Sequence, residues 1–204
     1  MALRISAAIL AGGSGKRMGG VPKSAILIGG KTILSGMLET MQDLFEETMI
    51  VSGTKDILPG IPEHMFISDI IRDKGPLGGI HAALTSTASD AVFVFAGDMP
   101  LISRDIVKRQ IERFKSLNPE ILVPRTGKLL EPLHCIYKVS VVAALERYIN
   151  GSKRLAIWDF FNYVEPDYFD LGDSEEIRYS FMNINFPEDI EVAEKIFQLR
   201  KNRQ

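Results

Sequence analysis

Apolar residues are distributed along this chain in two alternating patterns. The runs "ISAAIL" (5–10), "TMIVSG" (48–53), "HMFIS" (64–68) and "AVFVFAG" (91–97) are short and continuously apolar, as expected of strands buried on both faces. Between them the apolar spacing changes to three and four. Ile33, Met37, Leu38, Met41 and Leu44 give residues 31–45 one apolar face, which predicts a helix. Ile80, Ala83 and Leu84 do so more weakly after Gly78 and Gly79. Residues 103–114 read as a helix capped by Ser103, with Ile106, Val107, Ile111 and Phe114 turned inward and cations toward its end. Strand, loop and helix in repetition predict an α/β fold of three layers, α/β/α, around a mostly parallel sheet. Ligands in that architecture lie beyond the carboxyl ends of the strands.

The second half is less regular. "EILVP" (120–124), "LHCIY" (133–137) and "FMNIN" (181–185) read as strands, and "SVVAALERYI" (140–149) as a helix. Pro187 suits the first turn of a closing helix, with Glu188 and Asp189 near its positive end. No repeat or low-complexity linker divides the pattern, so a single domain over residues 1–204 is expected. Composition adds exclusions. A net charge of -2 and a pI near 6.0 provide no basic field for nucleic acid. Cys135 is the single cysteine, which removes an internal disulfide framework and the usual thiolate zinc sites, and points to a reducing cytoplasm. The apolar stretch near the start is too short to span a bilayer and is better explained as a strand entering a glycine loop.

That loop, "ILAGGSGKRMGGVPKS" (9–24), carries five glycines together with Lys16, Arg17 and Lys23. Two phosphate motifs are approached and missed. Gly13, Gly15 and Gly19 form GxGxxxG rather than the dinucleotide GxGxxG, and the acid expected at the end of the second strand is missing. "AILIGGKT" (25–32) has Gly30, Lys31 and Thr32 of the Walker pattern but Ala25 in place of the first glycine. What remains is a glycine loop directly after a buried strand, whose backbone N–H groups, with Arg17 and Lys23, suit a triphosphate. Asp98 follows another buried strand across only Gly97. It can cap the turn before the Ser103 helix, or it can supply the carboxylate that magnesium needs beside phosphate oxygens. His64 and His81 read as packed or solvated.

"LAGGSGKRMGG" followed by "PK", then "GPLGGIHAAL", "FAGDMPLI", "EPLHCIY" and "NINFPED", occur in the order and near the spacings of the nucleotidyltransferases with a Rossmann-like sheet. The doubled Gly12–Gly13 most resembles their molybdenum cofactor guanylyltransferases. The resemblance extends from Ile9 to about Asp189 and implies transfer of GMP from magnesium GTP to the terminal phosphate of molybdopterin. It implies a nucleotide-binding part over about 1–118, with Leu10, Ala11, Gly12, Gly13, Ser14, Gly15, Arg17, Lys23, Ser52, Asp69, Gly78, Gly79 and Asp98 at the nucleotide. Asp98 would be the metal ligand, and Arg17, Lys23 and Asp98 the catalytic groups. An acceptor-binding part over about 119–204 would present His134, Arg154, Asn183 and Asn185. For Arg154 a solvated helix-start cation is the other reading, and no metal role is assigned to His134. The partners implied are GTP, molybdopterin, other molybdenum cofactor biosynthesis proteins and molybdoenzyme apoproteins. Because "PK" is equally typical of relatives using CTP, a cytidylyltransferase is the alternative enzyme. A nucleotide-binding sensor or cofactor carrier is the non-enzymatic one.

Overall fold

The computed structural model describes residues 3–12, 22–52, 60–68 and 74–202. The apolar runs become β1 (Ile5–Leu10), β4 (Thr48–Val51) and β6 (Ala91–Ala96), between which lie a hairpin of β2 (Leu27–Ile28) and β3 (Lys31–Thr32) and the helix α1 (Ile33–Met41). "HMFIS" contributes only the two residues of β5 (Phe66–Ile67), following a single 3-10 turn. Next come α2 (Pro76–Ser86), α3 (Arg104–Leu117), β7 (Ile121–Thr126), β8 (Leu129–Leu130), β9 (His134–Lys138) and α4 (Val142–Gly151). The chain finishes with α5 (Ile157–Phe160), β10 (Asp167–Asp170), α6 (Glu175–Tyr179) and α7 (Pro187–Lys201).

One eight-stranded sheet has the order β10-β7-β9-β6-β1-β4-β5, with β8 paired to β7. β1 runs parallel to β4 and β6, and β10 parallel to β7, whereas β9 is antiparallel to both β6 and β7. Strand alternation divides the interior into two cores. Ile9, Phe93, Phe95 and Ile136 pack with Ile33 and Met37 of α1, Val107 and Phe114 of α3, and Ala193 and Ile196 of α7. Ala8, Val92, Val94 and Tyr137 pack on the other face with Ile80 and Leu84 of α2 and Leu145 and Tyr148 of α4. All six residues of β6 are buried, which is why its sequence is apolar throughout rather than alternating. Complete burial of a side chain such as Phe93 stabilises by about 2–3 kcal/mol. The three-layer α/β/α expectation, around a mostly parallel sheet, is met.

Several boundaries depart from the sequence reading, each for a local reason. α1 stops before Leu44 because Asp43 takes a positive φ of 60°, which a helix cannot continue. α2 begins at Pro76 rather than after Gly79: Gly75 turns the chain at φ 57°, and proline is pre-organised for the first helical position. α3 keeps its expected cap, Ser103 Oγ accepting from the Ile106 N–H at 3.4 Å. Residues 181–185 are not a strand. Asn183 Nδ2 donates to the Phe181 carbonyl at 3.2 Å, a local bond of the kind that competes with a ladder. The Ile184 N–H is satisfied by the Asp98 carbonyl at 2.9 Å instead.

Candidate active site

Because β1, β4 and β6 are parallel, their carboxyl ends meet on one edge, and Leu10 is in register with both Val51 and Ala96. Pairing continues one residue further on each side. The Ala11 N–H donates to the Val51 carbonyl at 2.8 Å and the Gly97 N–H to the Leu10 carbonyl at 3.0 Å. Gly12, Ser52 and Asp98 therefore leave the sheet from the same edge. Gly97 makes this approach possible. A Cβ there would stand 2.8 Å from the Leu10 carbonyl oxygen and 3.0 Å from the Ala11 Cα, and backbone on both sides cannot yield as a flexible side chain would.

Lys23 reaches this edge from a 3-10 turn, Lys23–Ala25, that follows Pro22. Its Nζ donates to Asp98 Oδ2 at 2.8 Å and to Asn185 Oδ1 at 2.8 Å. The two charged side chains are 26% and 21% exposed, sheltered enough to be strengthened by a lowered local dielectric yet open to a ligand. Asp98 Oδ1 forms no hydrogen bond among the described residues. Three expected residues from distant parts of the sequence, Lys23, Asp98 and Asn185, are thus brought into direct contact.

Gly13, Ser14, Gly15, Arg17 and Asp69 lie outside the described residues. Gly12 is exposed, with nothing within 4 Å of a Cβ position among the described residues. Ser52 is half-buried at the end of β4, its N–H donating to the Ile67 carbonyl at 3.1 Å. Ala11 packs against the α1/α3/α7 core and Leu10 against the α2/α4 core. Gly78 and Gly79, expected in a loop touching the ligand, are buried in the first turns of α2. A Cβ on Gly79 would lie 3.0 Å from the Leu10 side chain, so this glycine allows α2 to sit closely on β1. Arg154 is exposed after α4, its carbonyl accepting from Tyr148 Oη at 3.0 Å, and it is not joined to the Lys23–Asp98–Asn185 cluster.

His134 requires correction. Its side chain is entirely buried, enclosed edge-on by Phe93, Phe95 and Phe181 with ring centroids 4.9–5.0 Å away. Neither ring nitrogen has a hydrogen-bond partner among the described residues. Burial lowers its pKa to about 3, because an apolar enclosure disfavours the charged imidazolium. It is a neutral core residue and does not line a cleft. The carboxyl group three residues earlier is the one the sequence reading missed. Glu131 is half-buried, without an ion pair or side-chain hydrogen bond among the described residues, and burial pushes its pKa up to about 7. The Leu133 carbonyl accepts from the Ala96 N–H at 2.9 Å, so residues 131–133 pass beside the end of β6, next to Gly97 and Asp98. An acid directly before a proline in the otherwise apolar "EPLHCIY" was the available signal. Cys135, buried and with its thiol pushed well above its ordinary range by desolvation, offers no thiolate nucleophile.

Comparison with known proteins identifies the family. The model of the MobA-like NTP transferase domain matches residues 7–163. The chain belongs to this family. Among its relatives, the molybdenum cofactor guanylyltransferase of Syntrophotalea carbinolica is 33% identical over 191 residues, covering 91% of this chain and 89% of that protein. A probable molybdenum cofactor guanylyltransferase of Methanosarcina acetivorans is 33% identical over 201 residues, covering 91% and 88%. In three dimensions the crystal structure of molybdopterin-guanine dinucleotide biosynthesis protein A from Archaeoglobus fulgidus superposes with a TM-score of 0.79 at 28% identity, covering 95% of this chain and 99% of that one. The family match spans every segment that forms the sheet edge from Leu10 to Leu133.

Proposed function

We propose that this protein is a molybdenum cofactor guanylyltransferase, transferring GMP from GTP to the terminal phosphate of molybdopterin. The observation that carries the reading is the contact of Lys23 with Asp98 and Asn185 on the edge from which the Gly12 loop departs. In the reaction an acceptor phosphate oxygen bonds to the α-phosphorus of GTP while the bond from that phosphorus to the bridging oxygen of pyrophosphate breaks. The attacking phosphate is already anionic, so the protein must align two anions and offset their repulsion rather than remove a proton. Among the described residues there is accordingly no need for a nucleophile, and His134 and Cys135 are both buried in the core.

Lys23 neutralises the triphosphate and then the departing pyrophosphate, with Arg17 assisting. Backbone amides of Gly12 to Gly15 hold the remaining phosphate oxygens. Asp98 fits magnesium: one carboxylate oxygen is engaged by Lys23 while the other carries no hydrogen bond among the described residues, and magnesium in phosphate sites is held by one or two carboxylates together with substrate oxygens and water. When bound, the ion supplies charge neutralisation at the phosphates. Ser52, at the end of β4, and Asp69 contact the nucleoside. Asn183, Asn185 and Arg154 serve the acceptor, with His134 removed from that set by its burial.

The chain acts as one unit, with its nucleotide part over about 1–118 and its acceptor part over about 119–204. The reaction belongs in the cytoplasm, where the product passes to other molybdenum cofactor proteins and to molybdoenzyme apoproteins. Among the described residues no helix is long and apolar enough to cross a membrane. The test is pyrophosphate release with molybdopterin and magnesium, comparing GTP, CTP and ATP. GTP alone should support turnover. Release from CTP instead would establish the cytidylyltransferase reading, and tight GTP binding without any pyrophosphate would establish a sensor or carrier.

A further inference from the structure

We infer that Asp189, at the start of α7, is a positioning residue that fixes the catalytic Lys23 through Asn185. The inference rests on the proposed role of Lys23 and begins with one oxygen. Asp189 Oδ2 accepts from both the Asn185 N–H, at 2.7 Å, and the Phe186 N–H, at 2.8 Å. These bonds hold the two residues leading into the helix. Immediately before them the Ile184 N–H donates to the Asp98 carbonyl at 2.9 Å, and Asn185 Oδ1 accepts from Lys23 Nζ at 2.8 Å. Two adjacent residues therefore grip both partners of the Lys23–Asp98 pair, and Asp189 locks the backbone of the second.

The same helix holds the surroundings of both charged groups. Glu194 Oε1 accepts from the Gly29 N–H at 2.9 Å, in the hairpin that follows the Lys23 turn. A Cβ on Gly29 would lie 2.2 Å from the Phe197 ring, so hairpin and helix are packed without intervening space. At the far end of α7, Arg200 Nη1 donates to the Leu101 carbonyl at 2.7 Å, in the segment that leaves Asp98. α7 is thus a common frame for two catalytic side chains that are 75 residues apart in sequence, and Asp189 is the point at which the frame is fastened to Asn185. An ordinary capping aspartate would stabilise the helix alone. This one accepts from the residue whose side chain holds Lys23.

The experiment compares Asp189→Ala, Asp189→Asn and Val192→Gly in the full chain. An asparagine Oδ1 can accept the same two N–H bonds, whereas alanine cannot. Val192 is exposed in the middle of α7, and glycine there weakens the helix without touching the Asn185–Phe186 contacts. Two readouts are taken: kcat and KM for GTP in the pyrophosphate assay, and the labelling rate of Lys23 by limiting acetic anhydride, read by mass spectrometry against Lys31. Asp189→Ala should lower kcat about tenfold with a smaller change in KM, and raise Lys23 labelling about threefold or more relative to Lys31. Asp189→Asn should stay close to wild type in both. Val192→Gly should lower the melting temperature while leaving kcat and labelling unchanged. If wild type shows no GTP turnover but the labelling pattern holds, the positioning role stands and the guanylyltransferase reading falls. Unchanged Lys23 labelling in Asp189→Ala would overturn the inference. So would an Asp189→Asn loss equal to that of alanine, or an equal loss in Val192→Gly.

Discussion

The core placement of His134 has a consequence that can be measured as a function of pH. In the folded chain its pKa is lowered to about 3 by burial among Phe93, Phe95 and Phe181, against an ordinary value of 6.5. Between those two values the unfolded chain binds a proton that the folded chain refuses, so this group makes stability rise with pH across the interval. The stability is fully present above 6.5 and is lost as pH falls toward about 3. Integrated from pH 7.5, the loss from this one group is on the order of 1 kcal/mol by pH 5.5 and roughly twice that by pH 4.5. Glu131 acts in the opposite sense. Its raised pKa, about 7 against 4.5, means that the unfolded chain gives up its proton first, so its contribution falls as pH rises through that range. The two groups partly cancel in the wild type, and a raw stability profile would conceal both. The informative quantity is the difference in urea-unfolding free energy between wild type and His134→Phe, a substitution that keeps an aromatic ring in the cage. That difference should move against the wild type by on the order of 1 kcal/mol between pH 7.5 and 5.5, and by roughly twice that on reaching pH 4.5. A difference independent of pH would mean that the folded chain protonates His134 as readily as the unfolded one. It would refute the sealed aromatic enclosure and return the residue to the cleft.

Four further outcomes are expected. Lys23→Met and Asp98→Asn should each reduce GTP turnover by roughly two orders of magnitude, since removal of one preorganised electrostatic group costs about 3 kcal/mol; circular dichroism should show the fold retained. Gly97→Ala should destabilise the protein by about 1–3 kcal/mol through backbone overpacking and displace Asp98, so that turnover falls even at temperatures where the variant is fully folded. Glu131→Gln should leave the protein relatively more stable than wild type as pH rises from 4.5 through 7, and indistinguishable in that respect below 4.5, measured by thermal unfolding at several pH values. Arg154→Ala should raise KM for molybdopterin while leaving KM for GTP unchanged, because its exposed side chain lies apart from the Lys23–Asp98 pair.

The sheet was largely legible because its strands are buried on both faces. β1, β4, β6 and most of β7 and β9 lie within runs whose apolar character has no other economical explanation, and parallel pairing then directed attention to Gly12 and Asp98. Edge elements were not legible. β10 has only polar or half-exposed positions in "DYFD" and is recognised as a strand only by its pairing with β7. β5 is two residues long. Helix starts were misplaced where the deciding feature was a backbone angle rather than a side chain, as at Gly75. The polar residues followed the same division. Lys23 and Asp98 stood out by residue type and by position after a strand or glycine loop. His134 was misjudged because residue type alone does not reveal which side of a strand faces the aromatic layer. Glu131 escaped because an unpaired, half-buried carboxylate is defined by what does not surround it.

The pairing of Lys23 with Asp98 also constrains how this site can be filled. A lysine and an aspartate in direct contact largely cancel each other's charge, and a pair that is still open to solvent on one side contributes only modest stability of its own. The protein therefore has little to lose if the ammonium turns toward phosphate. Asp98 Oδ2 is the oxygen occupied by Lys23, and its other oxygen has no hydrogen bond among the described residues, so the carboxylate can accept a cation while the ammonium remains at hand. Asn185 keeps its amide oxygen on the same ammonium, which limits how far Lys23 can swing when Asp98 changes partner. Because Asn185 is uncharged, it can hold the lysine without competing with an anionic substrate for its charge. A second carboxylate in its place would hold Lys23 more firmly but would set another negative charge against the phosphates. The amide is thus the residue type that reconciles a positioned lysine with an edge that must receive two anions at once.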